Sequence, residues 1–349
     1  MRRTYHSFLC LTVILAVFLL SACGSAAGNN HPANASSEPA SSTETAGEPQ
    51  TRKVEHAFGI TEVPSHPERI ASINLEDMLL SLNIPLVFGM SIGEGYYLND
   101  KLKEQGAASE IWGESLNLEA ILAAQPDLIV ASTAFEQADY ENLSKIAPTI
   151  TYDREDWKNS LALIGDALGA ADHAKQVIDS YDEKAAQAKI ALADANIDEK
   201  SIAFIRMTGK DFRVYFPNYQ DKETGKEWPT YPGVIYNELG LALDPTVEAW
   251  HEKQPNFQNM TVSLEMLPEL KADYLFVTMG GARSTDDEIK QARETFADFE
   301  QTSVWQSLEA VKQKQIIYVN ARHWISSGPI ANSQKIDDVV EALTAVDAE

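Results

Sequence analysis

The sequence predicts an α/β fold in which two Rossmann-like lobes are joined by a single long backbone helix. Short apolar runs alternate with segments of helical periodicity along most of the chain, and this alternation is typical of a sheet rich in parallel strands. One segment, residues 171–195, keeps helical spacing for much longer than the others. A helix–strand pattern also occurs once in each half of the chain.

The first lobe is predicted to span residues 53–170. Short apolar runs predict its strands, at 69–73, 86–89 and 127–131. Apolar residues at helical spacing predict its helices, at 76–82 and 116–124. Strands that alternate with helices in this way favour parallel pairing, because a parallel connection needs a crossover element.

A linking helix is predicted at residues 171–195, followed by a second lobe at 196–349. The helix contains neither Gly nor Pro, and its apolar residues recur at helical spacing: Val177, Ile178, Tyr181, Ala185, Ala188 and Leu192. The same criteria predict the elements of the second lobe, which are strands at 201–205, 274–277 and 316–319 and helices at 234–239 and 336–346.

The repeated pattern supports two related lobes. In each copy a Leu-Glu pair opens a helix, and an Asp lies eight residues after the Glu, directly before an apolar strand. Glu119 and Asp127 hold these positions in the first copy, and Glu265 and Asp273 hold them in the second. Chance similarity of two ordinary helix–strand units is the alternative. Two similar lobes predict a ligand-binding cleft in the crevice between them.

The amino terminus has the features of an export signal. Arg2 and Arg3 precede an apolar run at 8–20 that is too short to span a membrane. Small residues before Cys23 resemble a lipobox, the signal of bacterial lipoproteins, which implies cleavage after residue 22 and lipidation of Cys23. Residues 23–52 lack apolar periodicity and predict a flexible tether. The chain is therefore expected on the outer face of a bacterial cytoplasmic membrane, unless the peptide is an ordinary secretory signal and its cysteine is incidental.

Composition limits the possible partners and crosslinks. The formal net charge is -24, so the surface repels phosphate backbones and nucleic acid is excluded as a partner. An anionic ligand is still admissible if basic side chains gather locally. The two cysteines are Cys10 and Cys23, so a chain cleaved after residue 22 cannot form an internal disulfide.

Several segments in order resemble the helical-backbone substrate-binding proteins of iron–siderophore, haem and cobalamin ABC importers. They lie at 59–71, 118–130, 143–149, 263–273, 305–312 and 319–329. The resemblance implies a monomer with no catalytic residues and no cofactor, whose lobes move little when ligand binds. It also implies delivery to a membrane permease and its ATPase, with Glu119 and Glu265 pairing with permease arginines. Stabilisation of a first helical turn is a second explanation for both glutamates.

The expected ligand is an iron(III)–siderophore complex; the hydroxamate or citrate–hydroxamate type is favoured, and a catecholate complex is the alternative. Arginines that follow or lie on strands are candidates to bind its oxygens: Arg206, Arg213 and Arg283. Tyr97 lies in a Gly-rich loop of the first lobe, and by resemblance Tyr219 and Trp324 match aromatic positions of siderophore binders. Two alternatives remain, a surface ion pair for Arg213 and a place in the core for Trp324. The segment 218–232 is longer than the family pattern, and its role stays open.

Other functions are weighed against this one. Haem or cobalamin would suit the same fold, and His323, Met90, Met279 and several tyrosines are possible axial ligands of haem. Direct capture of a metal ion is disfavoured because the chain has no HxH or HExxH motif. Residues 89–93 fit the Gly-x-Ser-x-Gly pattern of a secreted hydrolase, but a loop, not a helix, is expected after it. A structural surface protein would bind no ligand saturably.

Overall fold

A computed structural model describes residues 50–345, apart from residues 94, 112, 114, 209–210 and 282–283. The predicted signal peptide, Cys23 and most of the predicted tether lie outside these residues. The chain from residue 48 onward forms one compact unit by its internal contacts. The hydrophobic cores of the described residues lie within 54–343, so this compact unit contains the cores that it needs to fold.

The N-terminal lobe alternates strands and helices, as the sequence predicts. Its strands are β1 Thr51–His56, β2 Gly59–Pro64, β3 Ile70–Ile73, β4 Leu86–Ser91, β5 Ala108–Ile111, β6 Leu128–Ser132 and β7 Thr149–Tyr152. Its helices are α1 Glu76–Ser81, α2 Asn99–Glu104, α3 Leu118–Ala123, α4 Gln137–Leu143 and α5 Trp157–Ala167. Strands β3 to β7 form a parallel sheet in the order β5-β4-β3-β6-β7, and β1 and β2 form a separate antiparallel hairpin.

A helix of 24 residues, α6 Ala171–Asp194, follows the first lobe. Its buried residues are the predicted stripe of Tyr181, Ala185, Ala188 and Leu192, preceded by Ala174. It packs against α5 on one side, and a glycine allows the close approach: a Cβ added at Gly165 would lie 2.6 Å from the Cβ of Ala174. A helix of this length extends about 36 Å and runs past both lobes.

The C-terminal lobe contains a mixed sheet. Its strands are β8 Ser201–Thr208, β9 Asp211–Tyr215, β10 Asn218–Gln220, β11 Glu227–Pro229, β12 Ala242–Leu243, β13 Asn259–Val262, β14 Tyr274–Met279 and β15 Ile316–Val319. Its helices are α7 Pro245–Lys253, α8 Asp286–Glu300, α9 Ser303–Gln306, α10 Glu309–Lys312, α11 Ala321–Trp324 and α12 Pro329–Thr344. The sheet order is β13-β9-β8-β14-β15, in which β8, β14 and β15 are parallel and β9 and β13 add an antiparallel edge. The predicted α/β fold with a long joining helix is confirmed.

The aspartates of the sequence repeat accept equivalent hydrogen bonds in both lobes. Asp127 accepts hydrogen bonds from the backbone N–H groups of Glu68 and Arg69, just before β3, at 2.8 and 3.0 Å. Asp273 accepts from the backbone N–H and the hydroxyl of Ser201, the first residue of β8, at 2.8 and 2.9 Å. Each aspartate therefore fixes the start of the neighbouring central strand, which supports a structural repeat.

Two local predictions differ from the structure. No α-helix opens at Glu265; this residue lies in a turn before a 3-10 helix, Leu267–Glu269. Pro268 has no N–H to continue an α-helical hydrogen-bond ladder, which accounts for the short element. The segment predicted as a helix at 234–239 is a π-helical turn, Val234–Glu238. Among the described residues, no helix is both long enough and apolar enough to cross a membrane.

Candidate ligand-binding cleft

A cavity of about 580 Å³ lies between the lobes. The N-terminal lobe contributes residues that follow the carboxyl ends of its parallel strands: Asn74, Ile92, Ala134 and Arg154, with Tyr96. The C-terminal lobe contributes Arg206, Tyr231, Ser284, Glu288, Ile325 and Ser326. Ligands of open α/β sheets bind outside the carboxyl ends of the strands, so this cavity is the candidate ligand site.

A second cavity of about the same volume lies where α1, α6 and α12 meet. Of its basic lining residues Lys101, His173 and Lys184, Lys184 is already engaged, because its Nζ donates to Asp337 at 2.6 Å and to Ser333 at 2.8 Å. It is also a shallower groove, whose walls are helix faces instead of strand ends. We therefore place the functional site in the interlobe cleft.

Arg154 lies on the N-terminal wall of the cleft, two residues after β7. Its guanidinium donates to Glu155 Oε1 at 2.9 Å and to Asn74 Oδ1 at 3.5 Å. Burial disfavours its charge, but Glu155 and Tyr231 outweigh that effect and raise the pKa of Arg154 above its ordinary value. Its Nε is buried and has no hydrogen-bond partner among the described residues. Sequence analysis missed this residue, although its position directly after a buried strand matches that of Arg206.

Arg206 lies on the opposite wall, and Arg213 is its partner on the neighbouring strand β9. They lie directly across from each other in the antiparallel β8–β9 ladder, so both side chains project from the same face of the sheet. Arg206 donates to Gly280 O at 2.6 Å and to Tyr215 Oη at 3.1 Å. The Nε of Arg213 is buried without a hydrogen-bond partner in the part of the chain that the structure describes. Like charges in this position repel, so a bound anion would be stabilised between them.

The space for the Arg206 guanidinium depends on a glycine. A Cβ added at Gly281 would lie 2.1 Å from Nη2 of Arg206. Gly281 also lines the cleft, so its lack of a side chain leaves the guanidinium open to that space. The remaining predicted arginine, Arg283, lies outside the described residues.

The first-lobe tyrosines divide their roles in an unexpected way. Tyr97 donates its hydroxyl to Asp77 Oδ2 at 2.7 Å, and its neighbour Tyr96 lines the cleft. The two rings meet edge to face, with centroids 4.8 Å apart. Burial raises the pKa of both phenols well above the usual value, so both stay neutral hydrogen-bonding groups. The structure thus places Tyr96, not the predicted Tyr97, against the ligand space.

The expectation that Trp324 contacts ligand is corrected by its burial. Its side chain is 0% exposed and stacks on Phe204 with ring centroids 5.4 Å apart. Its indole N–H donates to Asp338 Oδ2 at 2.6 Å. Trp324 therefore belongs to the core of the C-terminal lobe, which is the alternative that the sequence left open.

Tyr219 lies at the rim of the cleft, on strand β10. Burial raises the pKa of Tyr219, and the carboxylates of Glu155 and Asp153 in the other lobe act in the same direction. Tyr219 is not among the residues that line the cavity. Its role in ligand binding stays a prediction.

The two glutamates of the repeat are exposed, one on each lobe. Glu119 lies in the first turn of α3, whose N-cap Asn117 accepts a hydrogen bond from the Ala120 N–H at 3.1 Å. Glu265 lies in the turn before the 3-10 helix of the second lobe. The described residues contain no group of three or more His, Cys, Asp or Glu placed to hold a metal ion.

Two α/β lobes, a rigid joining helix and a charged cleft between them define a bilobal solute-binding protein. The family profile described as "Periplasmic binding protein" matches residues 112–322, which is more than half of the chain. The chain belongs to the periplasmic binding protein family.

Relatives with siderophore-related names span the whole chain. The chain is 28% identical to the probable siderophore-binding lipoprotein YfiY of Bacillus subtilis, covering 96% of this chain and 97% of the relative. It is 27% identical to the iron(3+)-hydroxamate-binding protein FhuD of the same organism, covering 97% and 99%. Staphylococcus aureus SirA complexed with staphyloferrin B has a similar structure, with a TM-score of 0.68, 26% identity and coverage of 84% and 98%. The resemblance inferred from the sequence is confirmed.

Proposed function

We propose that this chain is the extracytoplasmic binding protein of an ABC importer and that it captures a ferric siderophore. The observation that carries the proposal is the interlobe cleft, where Arg154 on one wall faces Arg206 on the other. The names of the relatives support this ligand class. The chain would bind and release its cargo without catalysis and without a cofactor.

The chemistry of the cleft suits a complex whose iron is already saturated. Such a complex presents an organic shell and ligand oxygens, so its binder needs hydrogen-bond donors and aromatic surfaces. Arginine forks bind carboxylates through two parallel hydrogen bonds, and Tyr96 and Tyr231 add aromatic surface. Of the two classes expected from the sequence, this arrangement favours the citrate–hydroxamate type. A neutral trihydroxamate complex would leave the arginine pair Arg206–Arg213 without compensating charge.

The residues considered for haem and for hydrolysis are engaged elsewhere. Met90 and Met279 are buried in the cores, and His323 pairs with Asp338 at 2.7 Å outside the cleft lining. Ser91, in the Gly-x-Ser-x-Gly match, donates to Asn99 Oδ1 at 2.7 Å and has a loop, not a helix, after it. These contacts disfavour hydrolysis at Ser91 and haem ligation by Met90, Met279 or His323.

The proposal includes the membrane context. Signal cleavage after residue 22 would leave Cys23 lipidated, with residues 23–52 as tether, lobes at 53–170 and 196–349, and a linking helix at 171–195. The anchored monomer would lie on the outer face of the cytoplasmic membrane and deliver its cargo to a permease and its ATPase. Glu119 and Glu265 would contact the permease. The name of YfiY, a lipoprotein, supports the anchor.

Tryptophan fluorescence of residues 48–349 tests the ligand class. All six tryptophans lie in this part of the chain. The probes are ferric aerobactin (a citrate–hydroxamate complex), ferrichrome (a neutral trihydroxamate), a ferric triscatecholate, haem and cobalamin. We expect saturable quenching that is tightest with ferric aerobactin. Tight binding of haem or cobalamin alone would overturn the siderophore assignment, and equal binding of ferrichrome would overturn the preference for a carboxylate-bearing ligand.

A further inference from the structure

The long segment at 218–232 forms a β-hairpin beside the cleft. Strand β10 pairs with β11 so that Tyr219 lies opposite Trp228. The tip is ordered by Asp221, whose Oδ1 accepts hydrogen bonds from the N–H groups of Glu223 and Thr224 at 3.1 and 2.7 Å. The hairpin is therefore a structured element, not an irregular loop.

Strand β10 of the hairpin is fixed to the C-terminal lobe at both of its ends. The Gln220 N–H donates to Pro255 O at 2.7 Å, and Asn256 donates its side-chain amide to Gln220 O at 2.8 Å. On the other side, Asn237 donates to Asn218 Oδ1 at 2.6 Å. These contacts bind β10 to one lobe only, so the hairpin reaches the other lobe through residues that follow β10.

The tip reaches the other lobe through one ion pair. The Nζ of Lys226 lies 2.9 Å from Asp156 Oδ2, at the start of α5. Asp156 is the N-cap residue of that helix, yet its side chain accepts no capping hydrogen bond and is instead directed to the lysine. Lys226 also lies 3.7 Å above the ring of Trp228, which holds the ammonium in place.

The two residues of the ion pair are close in the chain to residues that line the ligand space. Tyr231, two residues beyond β11, lines the cleft, and so does Arg154, two residues before Asp156. The side chains of the ion pair are 49% exposed for Lys226 and 32% exposed for Asp156. Exposed pairs are weak and are screened by salt, so this contact can break and re-form readily.

We propose that the β10–β11 hairpin is a strap across one end of the cleft, held shut by the Lys226–Asp156 ion pair, and that it controls the rate of ligand exchange. This inference rests on the proposed function, because it assigns a role at the same cleft. When the pair is formed, the strap joins both walls on the Tyr219 side. When it breaks, the tip moves away from α5 and the ligand leaves or enters by that side.

Charge reversal tests the strap in residues 48–349. Lys226→Glu and Asp156→Lys are each expected to raise the dissociation rate of ferric aerobactin about two- to fivefold, the range of an exposed ion pair. The double variant Asp156→Lys/Lys226→Glu restores the opposite charges and should return the rate towards that of the wild type. Stopped-flow tryptophan fluorescence measures the rate, with ferrichrome as probe if it is the complex that binds. Lys222→Glu is the matched control, because Lys222 is on the same tip but lies over Phe257 of its own lobe.

A cross-link gives a readout that does not depend on the ligand. The chain has no cysteine after Cys23, so Asp156→Cys/Lys226→Cys can be joined by a short bismaleimide. The strap is supported if the two cysteines cross-link rapidly without ligand and if ligand exchange is slower in the cross-linked protein. The strap is overturned if the protein still binds ligand but the cross-linked form exchanges it at an unchanged rate. It is also overturned if the single charge reversals raise the dissociation rate no more than Lys222→Glu does. If no siderophore binds the wild type, the proposed function fails and the strap falls with it, an outcome distinct from the other two.

Discussion

Arg206 and Arg213 place two positive charges close together, which does not help the chain to fold. Their direct opposition on β8 and β9 costs stability, because like charges on paired strands repel. An anion that contacts both would remove that cost and gain charge-assisted hydrogen bonds. Ligand binding by this pair stays a prediction, and the surface ion pair considered for Arg213 has no support among the described contacts.

Replacing Arg206 or Arg213 with Gln tests this explanation. A hydrogen bond to a charged group contributes about 1.5–3 kcal/mol, so each variant is expected to bind ferric aerobactin roughly 10- to 100-fold more weakly. Removing one charge of the pair should leave the thermal stability unchanged or slightly raised. Equilibrium fluorescence titration and thermal melts measure the two effects. Arg293→Gln, an exposed arginine of α8, is the control, and full affinity in both cleft variants would contradict the assignment.

Asp77 is a buried carboxylate at the junction of the lobes. It accepts hydrogen bonds from the N–H groups of Ile330 and Ala331 at 2.8 and 2.9 Å, at the start of α12, and from the Tyr97 hydroxyl at 2.7 Å. Burial outweighs these bonds and raises the pKa of Asp77 to about 6. The protonated form is therefore favoured by folding, so the contribution of Asp77 to stability is complete below about pH 4 and is lost as the pH rises through about 6.

Asp77→Asn should remove this pH dependence. The change in unfolding free energy between pH 4 and pH 6.5 is expected to differ between wild type and variant by about 2–3 kcal/mol, from a shift of about two pH units. The N–H₂ group of Asn would also face one of the three donors, which are the Tyr97 hydroxyl and the N–H groups of Ile330 and Ala331. Because that hydrogen bond is lost, the variant is less stable at every pH. Urea unfolding at several pH values measures both. Parallel pH curves for the two proteins would show that Asp77 does not titrate in this range.

The position of a single residue can be predicted where the regular structure of the chain fixes it. Arg206 and Arg213 lie on or next to regular strands, whose spacing is readable in the sequence. Trp324 could not be placed, since its burial depends on Phe204 and Phe276 from distant strands. The sequence could not distinguish Tyr96 from Tyr97. Both lie in an irregular loop, and nothing in such a loop tells which of two adjacent rings turns towards a cavity.

Elements differ in how far their sequence determines them. The helix α6 was predictable because 24 residues of uninterrupted periodicity leave few alternatives. The strap hairpin was not, because its strands have three residues each and are defined by pairing and by contacts at 255–256. The second copy of the repeat keeps its aspartate but loses its α-helix, since Pro268 interrupts the ladder.

The α5–α6 contact gives a test at the level of elements. Gly165→Ala would normally favour a helix by about 1 kcal/mol, but here the added Cβ would meet that of Ala174 at 2.6 Å. We expect a net loss of about 1–3 kcal/mol from overpacking. Denaturant unfolding of Gly165→Ala, Ala174→Gly and the double variant measures the coupling. The double variant should be more stable than the sum of the two single changes in unfolding free energy predicts. Additive changes in unfolding free energy would contradict a tight contact.

The whole molecule combines an acidic surface with a basic cleft and ties its lobes together at several points. The formal net charge is -24, yet the cleft contains Arg154 and Arg206. Besides α6, the lobes are joined by Asp77 at the start of α12 and by Arg322, which donates to Ile92 O at 3.1 Å. These links favour small lobe movements on binding. A permease would then recognise the loaded protein mainly through surface groups that are exposed with or without ligand. The bound ligand would add to that recognition.

Charge reversal of Glu119 and Glu265 together tests how the whole molecule reaches its transporter. Both side chains are exposed and neither lines the cleft, so Glu119→Lys/Glu265→Lys should bind ferric siderophore with unchanged affinity. Opposed charges at a docking surface govern encounter and specificity, so uptake of radioactive iron by cells that carry only this variant should fall at least tenfold. The control is Glu104→Lys/Glu252→Lys, which also reverses one exposed glutamate on each lobe and should transport normally. A parallel fall in affinity and uptake, or equal losses in both double variants, would show that the pair does not act through docking.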